Sequence, residues 1–290
     1  MDLLLQLLAN GLVNGTFYAL SALGLTLVFG LMRVVNFAHG EFYVIGGLAG
    51  WALTNAMGLN FFLALPIVIL GMGMFGLLID RFLIERVRDQ GPETGILLTI
   101  GLSIFIVNTA LLVVGTAPLK VVSPFLNRPV FIGPVVVTQA RLFIVALCAV
   151  LILAVHLLVQ KTTLGRAMRA TFQDATAARL VGIRTRHVYG LTFALGSALA
   201  GTAGMLLGSI YVAQATIGGI VSLKAFVVVI LGGMGSFAGA IVGGLVLGLV
   251  EAIWGGYGPS GYVDAVGFAL VIAMLLVRPY GLFSKQAERA

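Results

Sequence analysis

Of the chain's 290 residues, 60% are hydrophobic and only 9% are charged, with a net charge of +7 and a mean hydropathy of +1.12. Soluble domains carry roughly 25% charged residues, so this composition excludes a soluble enzyme or binding module and describes an integral membrane protein. The basic excess follows from the preference of cytoplasmic loops for Lys and Arg, and nucleic acid is not an expected partner.

Apolar runs recur at about 20 residues, the length a helix needs to cross hydrocarbon. They lack the period-2 alternation of a membrane barrel. The expected fold is therefore all-α, a polytopic transmembrane helix bundle of eight long hydrophobic segments in one domain spanning 1–290. In chain order the segments cover 6–31, 36–57, 61–83, 93–115, 135–160, 188–211, 220–254 and 261–278. The start, Met1-Asp2-Leu3, lacks the basic region of a cleavable signal, so the first segment is expected to be retained.

Between the first two segments lies Arg33-Val-Val-Asn-Phe-Ala-His-Gly-Glu41, which places four strong hydrogen-bonding groups (Arg33, Asn36, His39, Glu41) at a membrane boundary. Buried unpaired, each costs several kcal/mol, so they must pair, face water or line a path. Two readings stand: an interfacial helix start with Asn36 as cap and Arg33 paired to Glu41, or a polar break in a helix along a translocation pathway. The spacing offers no second His at i+4 and no metal site.

The third segment carries Gly71-Met-Gly-Met-Phe-Gly76, and the seventh carries Gly239 through Gly248; small residues at such spacing let membrane helices approach closely. Arg81, Arg86 and Arg88 follow the third segment, while Lys120 and Arg128 lie in the loop 116–134. Cys148 sits inside the fifth segment and reads as packing, with no partner for an intrachain disulfide.

After the fifth segment the chain turns polar and basic over 161–187, with Lys161, Arg166, Arg169, Arg179, Arg184 and Arg186 against one acid, Asp174. Thr162-Thr163 suits an N-cap, 164–181 a helix, and Gly182 its end. Arg166, Arg169, Gln173 and Thr176 share one stripe, and Leu164, Met168, Ala175 and Ala178 share the opposite one. An interfacial helix on anionic lipid is one reading. Alanines bury little area in lipid, so a helix docking on protein is the preferred one.

Basic residues after the third, fifth and last segments (Arg278, Lys285 and Arg289 after the last) belong on the cytoplasmic side, with the N-terminus outside and the C-terminus inside. That orientation requires 220–254 to enter and return, turning near Leu231-Gly-Gly-Met-Gly-Ser236. Broken or short helices are expected near 33–41 and 220–254, giving eight or nine crossings. His39–Gly47 faintly echoes Lys224–Gly233, in segments of opposite direction, as inverted repeats would. Asn14, Asn108, Arg141, His156, Lys224 and Glu251 are scattered polar residues within apolar runs, of which Lys224 and Glu251 are placed to pair. No catalytic signature is present: there is no Walker A, HExxH or GxSxG sequence, so no enzymatic activity is expected.

Asn10 through Gly30, running into Arg33–Glu41, strongly resembles permease subunits of branched-chain amino acid ABC importers, in particular the subunit paired with a second, non-identical permease. The likeness continues through Thr163-Leu-Gly-Arg-Ala-Met-Arg-Ala, Ala177-Ala-Arg-Leu-Val-Gly-Ile183, Lys224-Ala-Phe and Leu231–Ser236. The resemblance implies a bacterial inner-membrane subunit that works with a second homologous permease, two ATP-binding subunits and a periplasmic solute-binding protein. It implies no cofactor of its own, ATP being bound by the partner subunits. It makes 161–187 a cytoplasmic coupling segment, with Gly165, Arg166, Arg169, Gln173, Asp174 and Gly182 as its candidate residues, while Asn36, His39 and Glu41 are the candidates for the translocation pathway. Cargo stays open among branched-chain amino acids, other amino acids, amides and urea. A self-contained channel or secondary transporter is the alternative, against which stands the lack of an intramembrane acid pair or proton relay.

Overall fold

A computed structural model describes residues 2–32, 35–88, 90–124 and 128–283. Arg33, Lys285 and Arg289 therefore lie outside the described residues, and with Arg33 the expected Arg33–Glu41 pair.

Twelve α-helices are described. α1 (Asp2–Met32) and α9 (Thr185–Ile210) are the long central helices, the most deeply enclosed of the spans. α2 (His39–Trp51) runs on through a π-helical turn, Ala52–Ala56. α3 (Phe61–Ile79) continues through a second π turn, Asp80–Ile84, into the short α4 (Glu85–Val87). α5 (Pro92–Val114) and α6 (Gln139–Lys161) flank the bundle, and α7 (Thr163–Gln173) and α8 (Ala175–Leu180) join α6 to α9. α10 (Gly218–Gly232), α11 (Phe237–Tyr257) and α12 (Val263–Val277) complete it. Seven of these helical stretches are long and apolar enough to cross a membrane.

The run 220–254 splits as expected, with α10 and α11 turning at 233–236. α10 has 15 residues and spans about 22 Å, short of the roughly 30 Å of hydrocarbon. α2 is short as well, and it begins deep in the bundle. The His39 ring bonds the Ser21 carbonyl and a Cβ on Gly24 would touch that ring, so α2 starts level with a part of α1 about 12–17 Å before its end at Met32. α10 starts at the same depth, with Gly218 against Gly40 and Glu41. Two short connections thus re-enter the bundle from opposite ends and deliver two helix N-termini to its middle.

This pairing reflects an inverted internal repeat in the order of elements. α1 lies antiparallel to α11, with Gly11 and Gly15 on Leu249 and Leu245; α9 lies antiparallel to α3, with Gly201 and Ser197 on Met72 and Gly76. α1 runs parallel with α10, and α9 with α2. The repeat aligns the helix start His39 with Gly218. The echo of His39–Gly47 in Lys224–Gly233 is therefore six residues out of register and marks apolar composition alone.

Small residues set the closest approaches. A Cβ on Gly204 would overlap the Tyr43 carbonyl, and one on Gly46 the Gly201 backbone. In the Gly71–Gly76 run only Gly76 is packed tightly, on Ser197, while Gly71 faces open space. Cys148 is fully buried in the core.

One departure from all-α lies in the loop that the sequence left blank. β1 (Pro129–Ile132) and β2 (Val135–Thr138) form an antiparallel hairpin with Ile132 opposite Val135. The fifth segment accordingly begins at Gln139 rather than 135, because Val135-Val-Val137 is spent on strand pairing. Gln6 clasps Val136 through both main-chain groups (2.8 and 3.0 Å), and Leu119 pairs with Ala213, so the hairpin, the N-terminal turns of α1 and the 211–217 connection share one end. At the opposite, basic end, Glu85 bonds Arg81 and Arg186, Arg88 bonds Asp80, and Leu282 bonds the Leu231 carbonyl.

Candidate functional site

Asn36, His39 and Glu41 meet in the middle of the bundle and are 1%, 1% and 3% exposed. Asn36 is not a helix cap: its Oδ1 accepts from the Ala38 N–H (3.0 Å) and holds the turn that feeds α2, whose N-cap is Ala38. His39 Nε2 lies 2.9 Å from the Ser21 carbonyl. A carbonyl only accepts, so Nε2 carries the proton and Nδ1 is left as an acceptor. Glu41 Oε1 accepts from Ser103 Oγ of α5 (3.1 Å). Ser222 of α10 stitches the junction, accepting from Gly40 N–H (2.7 Å) and donating to the Phe37 carbonyl (3.1 Å).

Glycine at 218 lets the Glu41 carboxyl group sit against the first residue of α10, where a side chain would collide with it. Glu41 thus occupies the first turn of its own helix and abuts the N-terminus of a second, two positions that favour negative charge. Buried polar atoms without a partner cost about 1–3 kcal/mol each and are rare in folded proteins. Five are found among the described residues, and four of them (Ser21 Oγ, Asn36 Nδ2, His39 Nδ1, Glu41 Oε2) belong to this one junction.

One turn beyond Glu41 on α2, and beside Ser103 on α5, an apolar cavity of about 660 Å³ opens between α2, α3 and α5. Ile45, Leu48, Leu102 and Ile106 line its near part. α5 reaches across it and is tied to the α2 side by two hydroxyls, Ser103 to Glu41 and Thr99 to the Val35 carbonyl (3.1 Å).

A second polar cluster lies on the other half of the repeat. Lys224 Nζ bonds both oxygens of Glu251 (3.0 and 2.9 Å), Asp264 (2.9 Å) and the Tyr18 hydroxyl (3.1 Å). The remaining scattered polar groups are satisfied locally or between helices: Asn108 on the Ile104 carbonyl, Asn14 accepting from Tyr211, Arg141 on Asn10, and His156 against the Phe237 ring.

At the basic end, 161–187 folds as an elbow of two helices rather than one helix over 164–181. Thr162 Oγ1 accepts from Gly165 N–H (3.0 Å), the expected N-cap. Gly165 packs so tightly under α6 that a Cβ would strike the Leu158 and Val159 carbonyls, and the Arg169 guanidinium donates to that Val159 carbonyl. Asp174 breaks the helix because its carboxylate accepts from the Thr176 and Ala177 N–H groups (2.7 and 3.0 Å), which starts α8. Those bonds hold its carboxyl below the usual carboxylate range. Gly182 ends the unit at φ +87°, a conformation that suits glycine.

The stripe of Leu164, Met168, Ala175 and Ala178 packs against the chain's own helices, with Met168 and Ala178 buried. Arg166, Gln173 and Thr176 face outward. The outward surface also presents Leu180 and Val181, 85% and 77% exposed, which the sequence reading passed over. The signal was Leu-Val placed directly before a helix-ending glycine in an otherwise polar stretch. Phe172 lies against Gly235 at the α10–α11 turn and near Gly30 of α1, and so joins the elbow to both of those elements.

A family model described as "Branched-chain amino acid transport system / permease component" matches residues 7–275. The high-affinity branched-chain amino acid transport system permease protein LivH of Escherichia coli (strain K12) is 37% identical over 296 residues, covering 97% of this chain and 96% of that protein. The corresponding protein BraD of Pseudomonas aeruginosa is 34% identical, again over 97% and 96%. The permease protein LivM of Escherichia coli (strain K12) is more distant, at 26% over 91% of this chain and 67% of its own length. No solved structure matches the chain.

Proposed function

The chain belongs to the family of branched-chain amino acid transport system permease components, and on that premise we propose the role it plays in a working importer. It is a multi-pass membrane subunit of an ABC importer, and its cargo is a branched-chain or related amino acid. The observation that carries this reading is the likeness to LivH over nearly the full length of both chains. The partners are a second homologous permease, two ATP-binding subunits and a periplasmic solute-binding protein. ATP is bound by those separate subunits, so this chain needs no cofactor and performs no catalysis.

The basic end faces the cytoplasm of a bacterial inner membrane, with the N-terminus outside and the C-terminus inside. There α7 and α8 couple to an ATP-binding subunit. Arg166 and Gln173, with Leu180 and Val181, form the docking face; Gly165 and Arg169 anchor the elbow to α6, and Asp174 and Gly182 shape α8. Movement of the elbow passes through Phe172 to α1 and α10. Asn36, His39 and Glu41 line the translocation pathway where it crosses the middle of the membrane.

Reconstitution with components left out one at a time tests the reading. Uptake of leucine, isoleucine or valine into vesicles is expected only when both permeases, both ATP-binding subunits, binding protein and ATP are present, and vanadate abolishes it. Uptake by this chain alone contradicts the reading and supports a channel or secondary transporter. Uptake of urea or an amide in place of amino acids keeps the importer and changes the cargo.

A further inference from the structure

We infer that Glu41 is the amine-recognition residue of a transient substrate site, whose apolar half is the cavity between α2, α3 and α5 and whose amine position is held by the Ser103 hydroxyl in the closed state. The inference rests on the proposed importer role and deepens it.

Three features support it independently. Glu41 is a carboxylate 3% exposed in an apolar bundle, with one oxygen lacking any partner among the described residues. Evolution of a core for packing alone favours an apolar residue here, because a buried charge costs far more than it returns unless something pairs with it. The group most able to repay that cost is a cation that comes and goes. Next, the side-chain donor that Glu41 has among the described residues is a hydroxyl on α5, a helix that borders a large cavity and has a second tie to the α2 side through Thr99 and the Val35 carbonyl. A neutral hydroxyl is a weaker partner for a carboxylate than an ammonium, whose charge-assisted bond is roughly twice as strong. An incoming ammonium therefore displaces Ser103 and removes one of the two hydroxyl ties between α5 and the α2 side. Finally, the cavity beside this latch has about 660 Å³ and an apolar lining of Ile45, Leu48, Leu102 and Ile106. Ligand pockets of roughly 300–1,000 Å³ with apolar walls and one or two fixed polar groups are usual for small molecules. An aliphatic amine or amino acid matches both halves, with the ammonium on Glu41 and the branched side chain along Ile45 and Ile106.

The test uses the assembled importer in lipid nanodiscs, with cysteine-free partner subunits and A49C in a C148A background, so that the single thiol reports on the cavity. Its reaction with a membrane-permeant maleimide is followed with leucine, with isopentylamine, which keeps the ammonium and the branched chain, or with isocaproate, which keeps the chain and lacks the amine. Leucine and isopentylamine are expected to slow labelling by about tenfold or more relative to isocaproate, the ratio a charge-assisted bond supplies. E41Q erases the difference. S103A, which keeps the carboxylate and removes the competing hydroxyl, shifts protection to lower leucine concentration; this variant decides the matter if E41Q does not assemble.

Equal protection by all three compounds, protection by none, or protection that persists in E41Q overturns the inference, as does an unchanged concentration dependence in S103A. ATP-driven leucine uptake is measured with the same assembly reconstituted into sealed vesicles. Uptake without protection removes the site and leaves the importer role standing, whereas absence of uptake for every branched-chain amino acid removes the role on which the inference rests.

Discussion

Around α2 and α10, polar side chains are sealed inside an apolar bundle; around α7 and α8, apolar side chains stand out on a polar surface. Each region inverts the ordinary rule of burial, and each inversion leaves groups in want of a partner. At the middle of the bundle the want is of hydrogen bonds, from Ser21, Asn36, His39 and Glu41. At the basic end it is of apolar cover, for Leu180 and Val181. On the proposed reading the first is met by a small solute that enters the bundle and the second by a protein surface. A subunit that moves a small solute when another protein pushes on it needs both.

The comparison is tested most severely where the bundle's middle is held shut. Replacing Gly204 with Ala drives a Cβ onto the Tyr43 carbonyl, and backbone on both sides leaves nothing to yield. Destabilisation of about 3 kcal/mol or more is expected, seen as loss of monodisperse protein and a lower melting temperature. A G204A variant that melts like the parent means the α2–α9 contact is not tight. Next in size is the Lys224–Glu251 pair, with side chains 20% and 7% exposed. Removing one partner leaves the other charge buried, so K224M is expected to cost about 3 kcal/mol, and K224M combined with E251L to recover much of it. Equal loss in the single and double variants denies the pair its structural weight.

At the basic end the expected effects fall on coupling rather than stability. L180D adds a charge to an already exposed position, so the melting temperature stays within about 1 °C, since surface substitutions shift stability by less than roughly 0.5 kcal/mol. ATP-driven uptake drops about tenfold, the consequence of losing one buried apolar contact worth 1.5–3 kcal/mol on docking. Unchanged uptake places the docking face elsewhere. The smallest effect concerns Asp174, whose carboxyl is held low by the Thr176 and Ala177 N–H groups. A depressed carboxyl stabilises its helix above the ordinary carboxylate range, and that contribution is lost as pH falls through the lowered value. Amide exchange at Thr176 and Ala177, taken relative to its intrinsic rate at each pH, should therefore quicken only in strong acid. D174A quickens it at neutral pH as well, whereas D174N, which retains a capping oxygen, changes it little.

Much of the fold was legible because a bilayer fixes helix length, and a run of apolar residues reports that length directly. The split at 233–236 and the pairing of Lys224 with Glu251 followed from orientation and charge. Depth was not legible. Hydropathy reads Asn36–Glu41 as a boundary, yet the chain re-enters and α2 begins in the middle of the bundle, because Ser222 and the Ser21 carbonyl wait there with partners. Nothing local to 33–41 announces those distant groups. The hairpin at 129–138 was hidden for the opposite reason, since Val135-Val-Val137 is apolar enough to pass for the start of a span. The break at Asp174 was readable: an Asp before Ala-Thr-Ala is an N-cap pattern even inside a helical stretch, and the helical period of its neighbours masked it.

The central claim is that a push at α7 and α8 passes through Phe172 to α1 and α10, and so shifts the junction in the middle of the bundle where Ser103 ties α5 to α2. Spin labels at I45C on α2 and F105C on α5, in a C148A background within the assembled importer, measure it directly by the distance between them in nucleotide-free and vanadate-trapped states. The distance distribution is expected to shift between the two states in the parent and to stay fixed in L180D. Identical distributions in both states of a parent that transports would contradict the claim.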